Sequence, residues 1–288
     1  MNSLFSRLSV PFLRVLPRRA ITRLFGCLAD YPWSPALGKA IVRWYGQVYG
    51  VDLSECVQQE GWSCFDAFFT RKLRPEVRPV DLHPHGLVSP ADGCLESISR
   101  IEGENTVFQV KGQPYRVKDL IGDEQGAKRY RGGIGCVIYL SPADYHRVHA
   151  PVSGCLRSVH SLSGDYYPVN SWGVRSVKQL FVRNRRVVFT LDTLPESHLG
   201  CVTLIMVAAM IVGRITMRAV HGRDVPFGLH RFDPPLLFEK GDEIGVFHLG
   251  STVVLLGEQS LAEGWIAKGG PIRWGTLLAY DAGSGARL

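Results

Sequence analysis

Cys201-Val202-Thr203-Leu204-Ile205-Met206-Val207-Ala208-Ala209-Met210-Ile211-Val212 is the longest apolar run in the chain, and the fold class turns on how it is read. Twelve residues are too few to cross a bilayer, which takes ~20. Its β-branched content favours pleated backbone, so one buried strand or a pair of strands is expected here. Working outward, Gly135 to Leu140, Arg186 to Leu191 and Ser251 to Leu256 have the same character, and Gly, Pro, Asp and Asn separate them. Short β-branched runs between such breakers read as strands. This pattern begins near residue 85. Upstream the period is helical: Ala20, Ile21, Leu24, Phe25 and Leu28 recur on one face, and Leu4, Phe5, Leu8, Phe12, Leu13, Val15 and Leu16 alternate with arginines. Ser34-Pro35 opens a second helix toward Tyr45, and Ser63 with Asp66 opens a third that carries Phe65, Phe68, Phe69 and Leu73. Pro75 and Pro79 end helical structure. The expected fold is α+β: a helical region over 1–80 followed by a mainly β domain over 81–288.

Lys and Arg number 33 against 26 Asp and Glu, and the excess is clustered. One cluster is Arg7, Arg14, Arg18, Arg19 and Arg23; a second is Arg71, Lys72, Arg74 and Arg78; a third is Arg183, Arg185 and Arg186. Such patches suit an anionic partner, either nucleic acid or an acidic membrane surface, and a solvated face is the plainer reading of each. Apolar residues opposite arginines in the first 30 positions suit a helix lying in a membrane interface, or equally one packed on the rest of the protein. Seven scattered cysteines without a C-x-x-C pair fit thiols kept reduced and used as small apolar side chains, with no zinc site.

Three segments carry side chains capable of chemistry. Ser89-Pro90-Ala91-Asp92-Gly93 reads alone as a turn. Tyr145-His146-Arg147-Val148-His149 holds two histidines, but no acid or cysteine stands at ligand spacing, so no metal is expected. In an extended segment these histidines also point to opposite faces. Leu249-Gly250-Ser251-Thr252 reads alone as a turn into a strand. Together the segments supply an Asp, a His and a Ser, the parts of a nucleophilic relay whose geometry the sequence does not define.

Those stretches, with Phe68-Phe69-Thr70-Arg71-Lys72-Leu73, Val169-Asn170, Leu180-Phe181 before Asn184, Val212-Gly213 and Lys240-Gly241, resemble the prokaryotic-type phosphatidylserine decarboxylases in order and spacing over residues 65 to 256. Two positions depart from the family pattern. Arg185 stands where an acid is usual, and Ile244 where methionine is common. The resemblance implies a carboxy-lyase that cuts itself between Gly250 and Ser251. Ser251 Oγ attacks the Gly250 carbonyl, with His149 as base, Asp92 orienting it and Thr252 as a candidate oxyanion donor. Gly250, lacking Cβ, is the expected seat of strain. Elimination and hydrolysis then turn Ser251 into a pyruvoyl group, which forms a Schiff base with the amine of phosphatidylserine and acts as electron sink. His146 is the candidate proton donor in that second reaction.

The implied partners are phosphatidylserine, an anionic membrane surface docked by the N-terminal region, and the two cleaved chains held together as a heterodimer that pairs again. The implied location is the cytoplasmic side of a bacterial cell membrane, peripherally bound. Nucleic acid has only the net charge behind it and is not expected. A pyruvoyl decarboxylase of a soluble amino acid or serine derivative, and an uncleaved lipid-binding homologue, are the alternatives.

Overall fold

The computed structural model describes residues 16–103, 106–211 and 213–281. The apolar and arginine positions expected to form a helix between Leu4 and Val15 lie outside the described residues. Helix α1 (Arg18–Asp30) carries Ala20 to Leu28 as expected. Helix α2 (Pro35–Tyr49) starts where predicted, with Ser34 Oγ accepting from Leu37 N at 3.4 Å, and runs on to a left-handed Gly50. Helix α3 is shorter than its periodicity suggested: it spans Phe65–Phe69, and its cap is Cys64 Sγ, which accepts from Ala67 N, rather than Ser63. Leu73 lies beyond it, bridged to Cys56.

The strands, in chain order, are β1 (Gly86–Val88), β2 (Gly93–Arg100), β3 (Val107–Val110), β4 (Gln113–Arg116), β5 (Ile134–Leu140), β6 (Arg147–His149), β7 (Gly154–Leu162), β8 (Arg186–Thr193), β9 (Cys201–Ala208), β10 (Arg214–Thr216), β11 (Gly228–Phe238), β12 (Glu243–His248), β13 (Ser251–Gly257), β14 (Gly270–Ile272) and β15 (Leu277–Tyr280). Eight of them form an antiparallel sheet in the order β11-β7-β8-β9-β13-β5-β2-β14. A smaller sheet, β10-β12-β6, delivers the chain to β13. The fold is therefore α+β, and the Cys201 run forms one strand that leaves the sheet after Ala208.

Strands β9 and β13 are buried at every position. Their residues alternate between two cores, as period 2 requires. Ile205, Val207, Val254 and Leu256 pack with Phe68, Phe69 and the N-terminal helices, while Leu204, Met206, Val253 and Leu255 pack with Phe189, Phe247 and Leu278. Burial on both faces explains why these strands read as unbroken apolar runs rather than alternating ones. Gly93 has a positive φ of 153°, and a Cβ there would lie 2.4 Å from the Tyr139 carbonyl oxygen, so only glycine lets β2 begin this close to β5. At the opposite edge, β11 loses register between Arg231 and Leu236, where Pro234 and Pro235 interrupt pairing. That irregularity blunts an otherwise open edge.

Truncating Leu204 to Ala should lower the unfolding free energy by about 2–5 kcal/mol in a urea titration. Leu237→Ala on the exposed edge, at 76% exposure, should change it by less than about 0.5 kcal/mol.

Candidate active site

Ser251 is the first residue of β13, facing Leu140 of β5 and Ala208 of β9. It is 1% exposed, and its Oγ has no hydrogen-bond partner. A buried hydroxyl left unpaired costs roughly 1–3 kcal/mol, and such atoms are uncommon in folded proteins. Two further buried polar atoms of the proposed site also lack partners, Thr252 Oγ1 next in the chain and His146 Nε2 beside the smaller sheet. Just upstream, Leu249 has φ 84°. A branched side chain in the left-handed region costs about 1–3 kcal/mol. The strain expected at Gly250 therefore falls on its neighbour, and Gly250 is absent from the positive-φ glycines. Alternation along β13 sends Ser251 and Thr252 to opposite faces of the sheet, so the two hydroxyls do not share a side.

Gly250 and Ser251 form part of the wall of a cavity of about 530 Å³. Phe25 and Leu28 of α1, Tyr45 and Tyr49 of α2, and Phe65 and Phe69 of α3 close it from the helical side. Tyr139, Pro142, Asn170 and Ile211 complete much of the rest. Among the described residues the lining contains no Lys, Arg or His.

Pairing of β6 with β12 sets where each histidine stands. Phe247 N donates to the His146 carbonyl at 3.0 Å, whereas His149 is level with Glu243. His146 is therefore at the end of β6 nearer the Leu249–Ser251 segment. It is fully buried, and its ring lies 4.1 Å from that of Phe69. Its Nδ1 is 2.8 Å from the Asp144 carbonyl, which can only accept, so Nδ1 carries the proton and Nε2 presents a lone pair. Burial pushes the His146 pKa down to about 3, which keeps the ring neutral near neutral pH.

His149 is held the same way. Its Nδ1–H donates to the Gly241 carbonyl at 2.7 Å, and its Nε2 stands 3.3 Å from the Tyr145 hydroxyl. Its ring lies flat on Trp274, with centroids 4.0 Å apart and planes 3° apart, and burial lowers its pKa. Asp92 makes no bond to it. That carboxylate is clamped by Arg78, with Nε at 3.0 Å and a terminal nitrogen at 2.7 Å, and takes the Trp274 N–H at 2.9 Å. The relay suggested by the sequence is thus not hydrogen-bonded in this structure. Asp92 is engaged by arginine, the donor of His149 by a backbone carbonyl, and Ser251 Oγ by nothing. Asp92 and His149 are nevertheless neighbours, joined through Trp274.

Sequence reasoning passed over Arg78, Trp274, Tyr145 and Asp144. Arg78 was read only as part of a basic cluster, and it is 6% exposed, bridging Asp92 to Glu55. Asp144 accepts the Ser141 N–H at 2.6 Å, and burial raises its pKa. Its place directly before the Tyr145 to His149 segment was the one available signal. Among the described residues no group of His, Cys, Asp and Glu is arranged to hold a metal ion.

The sequence was compared with known proteins. The family described as phosphatidylserine decarboxylase matches residues 65–280. The phosphatidylserine decarboxylase proenzyme of Marinobacter nauticus is 39% identical over 250 residues, covering 84% of this chain and 86% of that one. The proenzyme of the same name from an Anaeromyxobacter species is 37% identical over 264 residues, covering 89% and 91%. That of Bordetella avium is 38% identical over 278 residues, covering 92% of each.

Both histidines are neutral when buried, but an unfolded histidine protonates below its ordinary pKa of ~6.5. Stability should therefore be unaffected by them above that pH and fall as pH drops from 6.5 toward the depressed folded value. The slope is up to about 1.4 kcal/mol per pH unit for each such group. Urea titrations of a Ser251→Ala chain at pH 7.5, 6 and 5 should show this decline, and adding His146→Phe should flatten it.

Proposed function

This chain belongs to the phosphatidylserine decarboxylase family, and from that membership we propose that it is made as a proenzyme that severs its own Gly250–Ser251 bond to arm the site. Its reaction removes the serine carboxylate of phosphatidylserine as carbon dioxide and leaves phosphatidylethanolamine. The observation that carries the self-cleavage is the unpartnered, buried Ser251 Oγ directly behind a strained Leu249 and in the wall of an apolar cavity.

In the cleavage, Ser251 Oγ loses its proton to a base and attacks the Gly250 carbonyl carbon. The peptide nitrogen takes a proton and leaves, so that an ester joins Gly250 to the Ser251 side chain. Removal of the Ser251 α-proton expels the Gly250 carboxylate and leaves a dehydroalanine. Water then replaces its nitrogen, which departs as ammonia, and a pyruvoyl group heads the fragment 251–288. The residues present suit that group. Ser251 begins a strand paired on both sides, so the new terminus stays anchored while the two fragments remain together as a heterodimer. Once formed, the ketone supplies the electron sink that decarboxylation requires.

Two histidines compete for the role of base. Asp92, His149 and Ser251 remain the proposed relay, with the Tyr145 hydroxyl at His149 Nε2 and with Arg78 and Trp274 positioning Asp92. In that reading His146 gives the α-carbon of the product its proton. The second reading makes His146 the base of cleavage as well, and its free Nε2 lone pair favours it. Loss of a general base typically costs 10²–10⁴-fold.

The substrate is a membrane lipid, and the surface beside the cavity suits one. Leu24 and Leu28 of α1 and Trp44 and Val48 of α2 are each more than half exposed, and Leu28 also lines the cavity. No helix among the described residues is long and apolar enough to cross a membrane. We place these helices in the interface of an anionic membrane, peripherally and on its cytoplasmic side, with the acyl chains entering between them.

Purified His149→Ala should cleave at least ~100-fold more slowly than wild type on a denaturing gel. His146→Ala should cleave normally yet make no phosphatidylethanolamine from vesicles. Slow cleavage in His146→Ala with normal cleavage in His149→Ala would transfer the base to His146. The pair Leu28→Glu and Trp44→Glu should each weaken vesicle binding by about tenfold or more, the equivalent of a lost apolar anchor of ~1.5–3 kcal/mol.

A further inference from the structure

On the other side of α1 lies a second cavity, of about 470 Å³. The helix forms the partition: Arg19, Arg23 and Gly26 line this cavity, whereas Phe25, Leu28 and Ala29 line the one holding Ser251. Ile211 borders both. The second cavity differs from the first in charge, since Arg214 and Arg223 also line it.

The acids around it are already engaged. Asp30 accepts both terminal nitrogens of Arg214, at 2.6 and 2.7 Å, and a further bond from Arg223. Asp224 accepts the wholly buried Arg185 at 2.6 Å, and Asp165 accepts Arg18 at 2.9 and 2.6 Å. Asp66 is shared by His248 and Arg214. Two cations remain over. Among the described residues neither Arg19 nor Arg23 forms an ion pair; Arg19 donates to the Gly164 carbonyl at 3.2 Å and is near enough to Asp165 to help hold that carboxyl below its usual range. Because Arg185 pairs with Asp224, that acid is not left to offset Arg19 or Arg23.

Among the described residues, the apolar cavity that holds Ser251 has no cation in its wall, and it adjoins a cavity lined by two guanidinium groups that form no ion pair. We propose that the arginine cavity binds the phosphodiester of an anionic lipid, held by Arg19 and Arg23 while the lipid's apolar part lies toward the exposed face of α1. Guanidinium groups pair bidentately with phosphate oxygens, and Arg19 and Arg23 are both exposed and so accessible to a lipid headgroup. This inference rests on the lipid reaction proposed above and adds the place where the lipid's charge is met.

The test uses short-chain phosphatidylglycerol below its micelle concentration, titrated into the full chain by calorimetry. That lipid has no amine to react, so binding is read whether or not the chain decarboxylates anything, and failure of the site is separable from failure of the reaction. Two variants probe it: R19Q/R23Q removes the charges, and Gly26→Leu fills the cavity without changing charge. A Cβ at Gly26 meets nothing within 4 Å, and leucine is a better helix former than glycine. Both variants should bind phosphatidylglycerol at least tenfold more weakly than wild type, and short-chain phosphatidylcholine should bind weakly throughout. Equal binding by all three proteins overturns the proposal. So does a loss confined to R19Q/R23Q, which would make the effect one of surface charge rather than a cavity. Inorganic phosphate that competes at the lipid's own concentration would overturn the lipid assignment and leave a free-phosphate site. Kinetics on phosphatidylserine identify the source. A raised KM with kcat held in both variants makes the phosphodiester the substrate's own, and an unchanged KM with lost stimulation by phosphatidylglycerol makes it a neighbouring lipid's.

Discussion

Everything at the site depends on β13 being a central strand whose first residue is Ser251. From Ser251 to Gly257 its backbone is paired with β5 on one side and β9 on the other, and all seven residues are buried. That pairing removes water from the Ser251 hydroxyl and leaves it nothing to bond. It also makes the turn before it tight enough to force Leu249 into a left-handed conformation. The cost of these features is of order a few kcal/mol, small beside the burial of Val253, Val254, Leu255 and Leu256 at roughly 1.5–3 kcal/mol each. The peptide proposed to react is held in place because the strand it opens is paired on both sides and buried throughout.

The same rigid surroundings set the protonation of the two histidines. Each gives its Nδ1 proton to a backbone carbonyl, that of Asp144 or Gly241, so each keeps its lone pair on Nε2. Burial opposes charge on both, and aromatic rings pack against them, Phe69 on His146 and Trp274 on His149. Asp92, by contrast, is bonded to a buried guanidinium. Arg78 closes a chain that runs from Glu55 through Asp92 to the Trp274 backbone, and the indole of Trp274 covers His149.

Much of the scaffold was legible because it rests on local chemistry. The β-branched run from Cys201 had to be buried strand, and the spacing of Ala20 to Leu28 had to be helix. Resemblance then singled out Gly250-Ser251 from the chain's two Gly-Ser pairs. What escaped the sequence was the partner of each polar group. Arg78, Arg185 and Arg186 belong to clusters that read as solvated or lipid-facing, yet they are 6%, 0% and 5% exposed. Arg186 spends its donors on the carbonyls of Leu120, Val182, Asn184 and Asp119, and carbonyls leave no trace in a residue pattern. The Asp92–His149 bond was what the resemblance implied, with no geometry behind it. The fold instead brings Gly241 to that nitrogen, 92 positions away in the chain. At α3 the thiol of Cys64 acts as cap where a hydroxyl one residue earlier looked the better candidate.

The central claim is that Ser251 is both nucleophile and the source of the reactive carbonyl. It is met most directly by the intact mass of the purified protein under denaturing conditions, beside that of Ser251→Ala. The account predicts two chains from the wild type: one ending at Gly250, and one spanning 251–288 that is lighter by one ammonia than the hydrolytic fragment. The variant should remain whole. A folded wild-type chain that stays intact, or a fragment 251–288 that keeps its amino group, would contradict it.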